Sequence, residues 1–179
     1  MPSTSITLEQ AIYASIRDVP DFPRPGIVFK DITPLLANAE LFARVTHAMA
    51  APFATRGVTH VVAMESRGFI LGAPVAQHLG AAFVPVRKKG KLPFRTETVE
   101  YALEYGTDSL EVHFDACPPG ANVLIVDDVL ATGGTAAATC DLMERVGGRI
   151  AGCAFLLELS FLDGSRRLAG REVLALARY

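Results

Sequence analysis

One segment of the sequence constrains the fold most. In it, four apolar residues lead into two adjacent carboxylates and then into a glycine turn. The run covers residues 123–126, the carboxylates are Asp127 and Asp128, and the turn covers 132–135. An uninterrupted Val/Leu/Ile run predicts a strand that is buried on both faces. A helix is predicted from 135 to 146, so the segment has the order strand, turn, helix from which parallel sheets are built.

The same order recurs on both sides of this segment. Strands are predicted at 58–64, 81–86 and 150–157, and a further helix at 68–79. Strands that alternate with helical segments indicate parallel crossover units with helices on both faces of the sheet. At 179 residues, the chain is predicted to form one domain, 1–179, with an α/β fold and a doubly wound parallel sheet.

The N-terminal segment has a different character. Thr7 and Gln10 have the spacing of a capping box, which predicts a helix that ends near Arg17. The stretch 20–26 holds three prolines and a glycine, and is predicted to be irregular but stiff. A second helix is predicted from about 38 into the fifties, with an apolar face.

Composition limits the partners of this chain. The formal net charge is -2, so no global basic field drives nucleic-acid binding, although a local cluster could still bind anions. We expect neither a signal peptide nor a membrane span, because no basic and apolar leader and no run of about 20 apolar residues is present. Three dispersed cysteines favour buried thiols in the reducing cytoplasm. With 50% hydrophobic residues, the chain has apolar surface to spare for a dimer interface.

The turn after the central strand predicts a cradle for a phosphate monoester. The backbone N–H groups of the turn and of the helix that follows converge on an anion, and threonine hydroxyls add donors. Asp127 and Asp128 suit ribose hydroxyls or Mg²⁺, bound directly or through its waters. The alternative is a capped turn with surface aspartates. The cradle would be formed by Ala131, Thr132, Gly133, Gly134 and Thr135.

A second turn, Glu65-Ser66-Arg67-Gly68, follows the strand predicted at 58–64 and is expected at the same edge of the sheet. Arg67 can offer several donors to a diphosphate, or it can pair with Glu65 or another carboxylate at the surface. Further along, Arg87, Lys88, Lys89 and Lys91 form a basic run that is either a solvated face or a charge that offsets a leaving group. The polar stretch 88–107 is predicted to be a flexible lid, a β-hairpin, or both.

Five segments resemble a known family. Residues 123–135 resemble the 5-phosphoribosyl 1-diphosphate (PRPP) signature of the type I phosphoribosyltransferases, and 21–34, 66–69, 87–93 and 103–107 narrow the resemblance to adenine phosphoribosyltransferases. The resemblance implies a purine salvage enzyme that converts adenine and PRPP to AMP and diphosphate. Alternatives are an enzyme for another purine and a non-catalytic PRPP-sensing regulator of the same fold.

The resemblance also implies roles for single residues. Glu65, Ser66, Arg67 and Gly68 would bind the diphosphate, with a cis peptide bond between Glu65 and Ser66. Mg²⁺ would be carried by the diphosphate, with no direct protein ligand assigned, and the enzyme would be a homodimer.

The base would lie under an N-terminal hood, about 1–36, where Val28 offers backbone groups and Phe29 and Lys30 lie nearby. The alternative places Phe29 in the core and Lys30 in solvent. Glu104, in the lid, would exchange a proton with the base, or would be a solvated glutamate. The resemblance implies a catalytic role for two residues, Glu104 and Arg67.

Overall fold

A seven-stranded sheet with helices on both faces organises the fold. The computed structural model describes residues 6–102 and 107–179. The helices are α1 (Leu8–Ser15), α2 (Thr33–Leu36), α3 (Ala39–Ala50), α4 (Arg67–Leu79) and α5 (Gly134–Arg145). The strands are β1 (Arg17–Pro20), β2 (Val28–Asp31), β3 (His60–Met64), β4 (Ala82–Lys88), β5 (Thr96–Ala102), β6 (Thr107–His113), β7 (Asn122–Leu130), β8 (Arg149–Glu158) and β9 (Val173–Arg178). Short 3-10 turns lie at Ala51–Phe53, Ser160–Leu162 and Gly164–Leu168.

The sheet is mostly parallel. Its strand order is β5-β6-β4-β3-β7-β8-β9, and the five strands from β4 to β9 run parallel to their neighbours. At one end of the sheet, the edge strand β5 pairs antiparallel with β6, and β6 pairs antiparallel with β4. The predicted α/β fold is therefore confirmed. The segment predicted as a lid, a hairpin or both contributes β5 to an antiparallel hairpin with β6.

The central strand β7 divides the core into two layers. Val123 and Ile125 pack on one side with α5 and the β5–β6 hairpin, whereas Leu124 and Val126 pack on the other with α1, α3 and α4. Alternate residues of a strand point to opposite faces, so an unbroken apolar run serves both layers. All three cysteines are buried thiols, as predicted.

The N-terminal segment is more ordered than the sequence indicated. Helix α1 begins with the predicted capping box, in which Thr7 accepts from the N–H of Gln10. The prediction of a wholly irregular stretch at 20–26 was wrong at its start, because β1 ends at Pro20 and pairs antiparallel with β2. Pro23 and Pro25 occupy the connection between β1 and β2, where a missing N–H breaks no ladder hydrogen bond.

Two strands extend beyond their predictions. The predicted strand 123–126 continues to Leu130, because the ladder with β8 runs on to the pair Leu130–Glu158. Strand β9 was not predicted; it pairs parallel with β8 at the sheet edge. Within the described ranges, no helix is long and apolar enough to cross a membrane.

Candidate active site

A cavity of about 780 Å³ opens where the strands β3 and β7 stop being neighbours. Their ladder ends at the pair Ala63–Val126, after which the chain turns away into α4 while β7 continues along β8. Ligands of open α/β sheets bind at such a gap at the carboxyl ends of the strands. The walls are the hood, the turn after β3, the end of β7 and the hairpin; they comprise Ile27, Val28, Phe29, Lys30, Met64, Glu65, Ser66, Arg67, Lys88, Tyr101, Asp108, Leu110, Asp127, Asp128, Val129, Ala131, Thr135 and Leu159.

A second, smaller cavity of about 80 Å³ adjoins the first at the start of α5. Its lining includes all five predicted cradle residues, Ala131, Thr132, Gly133, Gly134 and Thr135. Gly133 has φ +77° and precedes α5, so it turns the chain in a conformation that favours glycine. The first N–H groups of α5 lack helical carbonyl partners, and they and the helix dipole suit an anion at this position.

Backbone contact with the 3-10 turn Gly164–Leu168 supports the cradle from behind. A Cβ atom added at Gly133 would collide with the carbonyl oxygen of Gly164, and one added at Gly164 would collide with the carbonyl oxygen of Ala131. The two segments therefore approach each other closely enough at Gly133 and Gly164 that neither position has room for a side chain. Nothing in the sequence pattern pointed to Gly164, because the contact joins segments about thirty residues apart.

Asp127 and Asp128 lie inside β7, which corrects the expectation that they follow the strand. Asp128 is buried, at 4% exposure, and Asp127 is half-buried; both line the large cavity. The main-chain N–H of Asp128 donates to Asp127 Oδ1. Removal from water, together with the neighbouring charge of Asp128, holds the pKa of Asp127 well above its ordinary value. Burial also raises the pKa of Asp128, although the charge of Arg67 opposes the shift.

Arg67 links the acidic pair to the hood. Its Nε lies 2.6 Å from Asp128 Oδ2, and its guanidinium carbon lies 5.0 Å from the centre of the Phe29 ring. Of the two alternatives, Arg67 thus takes a carboxylate partner, but a buried one that lines the cavity rather than Glu65. Its side chain remains 37% exposed, so part of the guanidinium faces the cavity.

The turn that precedes α4 comes close to the acidic pair. The peptide bond between Glu65 and Ser66 is cis, as the family resemblance implied. A Cβ atom at Gly68 would lie 2.7 Å from Asp127 Oδ1, so glycine permits the approach of α4 to β7. Glu65 and Ser66 line the cavity directly, whereas Gly68 acts as a spacer behind it.

The cations of the basic run contact two acidic side chains, Glu65 and Asp108. Arg87 Nε donates to Glu65 Oε2 at 2.7 Å, and Lys91 Nζ lies 4.0 Å from Glu65 Oε1. Burial alone would raise the pKa of Glu65, but hydrogen bonds from Arg87 and the Lys88 N–H and the nearby cations outweigh it, and the pKa is lowered. Of the four side chains in the run, Lys88 lines the cavity; Arg87, Lys89 and Lys91 are not among its described lining residues.

The three hood residues predicted to lie near the base, Val28, Phe29 and Lys30, all line the cavity. Val28 is exposed, and Phe29 packs edge-on against Phe22 with ring centres 5.2 Å apart. Lys30 is not in solvent, since its Nζ donates to Asp18 at 2.7 Å and lies 4.0 Å from the centre of the Tyr179 ring. The alternative that places Phe29 in the core and Lys30 in solvent does not hold, because both line the cavity.

Sequence reasoning missed the contribution of the hairpin. Tyr101 and Asp108 line the cavity, and Lys88 Nζ lies 3.0 Å from Asp108 Oδ2. If the hairpin alternative is taken, alternate residues of β5 and β6 lie on the same face, and this period of two could have indicated that Tyr101 and Asp108 lie together. Glu104, the predicted proton-handling residue, lies outside the described residues, and its role stays a prediction.

The acidic pair fits a cation that arrives with its own phosphate ligands. Within 6–102 and 107–179, no three His, Cys, Asp or Glu side chains converge as a complete protein site requires. In the same ranges, the buried Asp128 Oδ2 has no well-aligned hydrogen-bond partner, despite its short approach to Arg67. Mg²⁺ in phosphate sites usually takes one or two carboxylates and substrate oxygens, so these donors suit it.

Comparison with known proteins defines the class. A family model described as the phosphoribosyl transferase domain matches residues 31–172. This range includes β3, the turn at Arg67, β7 and the cradle. The chain therefore belongs to the phosphoribosyltransferase family.

More similar proteins narrow the group. The chain is 59% identical over 169 residues to the adenine phosphoribosyltransferase of Myxococcus xanthus, and the aligned region covers 94% of this chain and 91% of that one. The crystal structure of adenine phosphoribosyltransferase from Rhodothermus marinus is 54% identical, with a TM-score of 0.92 over 96% of this chain and 98% of that one. The Saccharomyces cerevisiae enzyme, crystallised with an imino-altritol bisphosphate and adenine, is 38% identical, with a TM-score of 0.89 over 94% and 98% of the two chains. Within the family, the chain groups with the adenine phosphoribosyltransferases.

Proposed function

We propose that this protein is a transferase that converts adenine and PRPP to AMP and diphosphate in purine salvage. The observation that carries the proposal is a pair of adjoining cavities: the larger is lined by an aromatic hood and by a buried acidic pair with its arginine, and the smaller by the phosphate cradle. The identity of 59% to a bacterial adenine phosphoribosyltransferase supports adenine as the base.

The three parts of PRPP correspond to three parts of the cavity. The 5′-phosphate binds to the backbone and hydroxyl donors of the cradle, 131–135. Asp127 and Asp128 accept hydrogen bonds from the ribose hydroxyls. The diphosphate binds at Glu65, Ser66, Arg67 and Gly68, where Arg67 supplies planar donors. Lys88 and, at the border of the cavity, Arg87 and Lys91 add positive potential for the departing diphosphate.

The base binds under the hood, which comprises about residues 1–36. The Phe29 ring offers an aromatic face, and the backbone of Val28 offers hydrogen-bonding groups to the purine edge. Lys30, fixed by Asp18, forms part of the same wall. Hood, sheet and lid, about 88–107, belong to a single domain that spans 1–179.

The reaction exchanges two bonds at ribose C1. The C1–O bond breaks and its electron pair leaves with the diphosphate, while purine N9 supplies the pair for the new C1–N bond. The N9 proton is lost to a base, a role we assign to Glu104 in the lid. Arg67 and the basic run stabilise the charge that builds on the diphosphate, and the cavity walls hold N9 in line with C1.

Mg²⁺ is the proposed cofactor, bound with the diphosphate. When bound, it offsets negative charge on the diphosphate and thus improves the leaving group. Asp127 and Asp128 are the side chains that would face it, directly or through water. We further propose that the protein acts in the cytoplasm, in keeping with its three buried thiols.

A homodimer accounts for apolar side chains that remain exposed on α4 and β4. Ile70 and Phe83 are 43% and 36% exposed. Burial of such side chains against a second copy would remove apolar area from water. Light scattering at assay concentration should give twice the chain mass, and a monomer mass would contradict this part of the proposal.

The decisive experiment is a base panel. Purified protein with Mg²⁺ and PRPP should form the nucleotide from adenine, and much less from hypoxanthine, guanine or uracil. Equal or better turnover of another purine would reassign the substrate. PRPP binding without turnover of any base would favour a PRPP-sensing regulator instead.

A further inference from the structure

Tyr101 brings a hydroxyl group to the phosphate cradle from outside the cradle loop. Its side chain lines the large cavity, and its Oη lies 3.4 Å from Thr135 Oγ1, within hydrogen-bond distance. Thr135 follows Gly134 in the first turn of α5 and lines both cavities. In this contact the Thr135 hydroxyl donates to the phenol oxygen, so the cradle is approached by a hydroxyl group that belongs to β5, a separate element of the sheet.

The register of the hairpin explains why Tyr101 points there. Tyr101 pairs with Asp108, and Val99 pairs with Leu110, so these four side chains share one face of β5 and β6. Val99 and Leu110 are buried in the core beside α5. Tyr101 and Asp108 continue this row towards the hairpin tip and reach the cavity.

The two charged side chains beside the phenol neutralise each other. Lys88 Nζ lies 3.0 Å from Asp108 Oδ2, so the one carboxylate opposite Tyr101 in the ladder is already paired. Hydrogen bonding and charge from Asp108 raise the pKa of Lys88, which keeps the ammonium group charged. A phosphate that enters the cradle thus meets the phenol hydroxyl on the hairpin side, opposite a carboxylate that Lys88 already neutralises.

We propose that Tyr101 is a phosphate-binding residue, whose phenol hydroxyl donates to the phosphate monoester held at residues 132–135. Its hydroxyl and that of Thr135, which now face each other, would both turn to the same phosphate. The inference rests on the proposed function only for the identity of the ligand. It makes the hairpin part of the phosphate site.

The test compares Tyr101→Phe with the wild type, because the substitution removes the hydroxyl and keeps the ring. Calorimetry with ribose 5-phosphate should show binding about tenfold weaker, the value of one hydrogen bond to a charged acceptor. Binding of inorganic diphosphate with Mg²⁺ should stay within twofold. Thr98→Val is the matched control: it removes a hydroxyl from the opposite face of β5 and should leave both affinities unchanged.

Kinetics supply a second measurement. The KM for PRPP should rise about tenfold in Tyr101→Phe, whereas the KM for adenine should stay within twofold. If Tyr101→Phe binds ribose 5-phosphate as tightly as the wild type does, the inference is overturned. It is also overturned if the affinities for ribose 5-phosphate and for diphosphate fall equally, because that result would mean a general loosening of the hairpin. Failure of the wild type to make AMP would refute the proposed function instead, while the ribose 5-phosphate comparison would still judge Tyr101.

Discussion

Arg67 and Asp128 hold the centre of the site together, since Arg67 Nε lies 2.6 Å from Asp128 Oδ2 while the same guanidinium lies beside the Phe29 ring. One side chain thus contacts both the acidic pair and the hood. Because a cation beside a buried carboxylate lowers the cost of its charge, Arg67 also keeps Asp128 closer to its ionised form.

Arg67→Gln should lower kcat/KM for PRPP by about 100-fold or more, because it removes charge stabilisation from the departing diphosphate. Steady-state assays with varied PRPP measure this change. Arg67→Lys is the control for charge alone, and should recover only part of the loss because a lysine cannot offer the planar pair of donors. Activity of Arg67→Gln within threefold of the wild type would contradict the assigned role.

Asp127→Asn combined with Asp128→Asn should abolish most AMP formation while the fold survives. The amides keep the shape of the carboxylates, but they lose the charge that binds ribose hydroxyls and a cation. Far-UV circular dichroism monitors the fold and AMP formation the activity. Turnover like that of the wild type in this double variant would refute the role of the pair.

The same double variant should change how stability depends on pH. A carboxyl group whose pKa is raised on folding binds its proton more tightly in the folded state, so its stabilising contribution is present at acid pH and is lost as the pH rises above the ordinary value of 3.8. We expect the variant to have a higher Tm than the wild type at pH 7, by about 2–4 °C per kcal/mol of relief. The difference should shrink towards pH 4, and Tm values that differ equally at both pH values would contradict the raised pKa.

Phe29→Ala should raise the KM for adenine about tenfold, since it removes an aromatic face from the base wall. The KM for PRPP should change less, which separates base binding from a general loss of structure. Phe114→Ala is a matched control, because Phe114 is exposed and lies outside the described cavity lining. An unchanged KM for adenine in Phe29→Ala would remove Phe29 from the base site.

Gly164→Ala should weaken ribose 5-phosphate binding although Gly164 touches no ligand. Its added methyl group would collide with the carbonyl oxygen of Ala131 and displace the cradle loop. Gly170→Ala is the control: Gly170 has φ +82° and open space around it, so the substitution should cost about 1 kcal/mol of stability without altering binding. Calorimetry with ribose 5-phosphate distinguishes the two, and equal affinities for Gly164→Ala and the wild type would contradict the expected displacement.

Much of the fold could be predicted from local patterns. The apolar runs of β3, β7 and β8 and the capping box of α1 indicated the correct elements because burial and capping depend on neighbouring residues. Strand β9 escaped prediction, since its place in the sheet depends on pairing with β8. The end of β7 was predicted four residues early for the same reason: the ladder with β8, rather than the apolar run, determines where it ends.

The candidate site was predictable where its residues belong to one turn, and much less so where partners come from distant segments. The cradle and the turn at Arg67 could be recognised as motifs. The pairing of Arg87 with Glu65, the position of Lys30 between Asp18 and Tyr179, and the presence of Tyr101 depend on long-range packing. A basic run in a sequence shows that cations are near one another, but it does not show which carboxylates they will meet.

The backbone contact between Gly133 and Gly164 has an evolutionary consequence. Since neither position has room for a side chain, a relative that acquires one at the position of Gly164 must also change the path of its cradle turn. The two positions should therefore vary together among homologues. The segment after β8, which carries no recognisable motif, should drift freely at its exposed residues, whereas Gly164 should change only where the cradle turn at Gly133 changes with it.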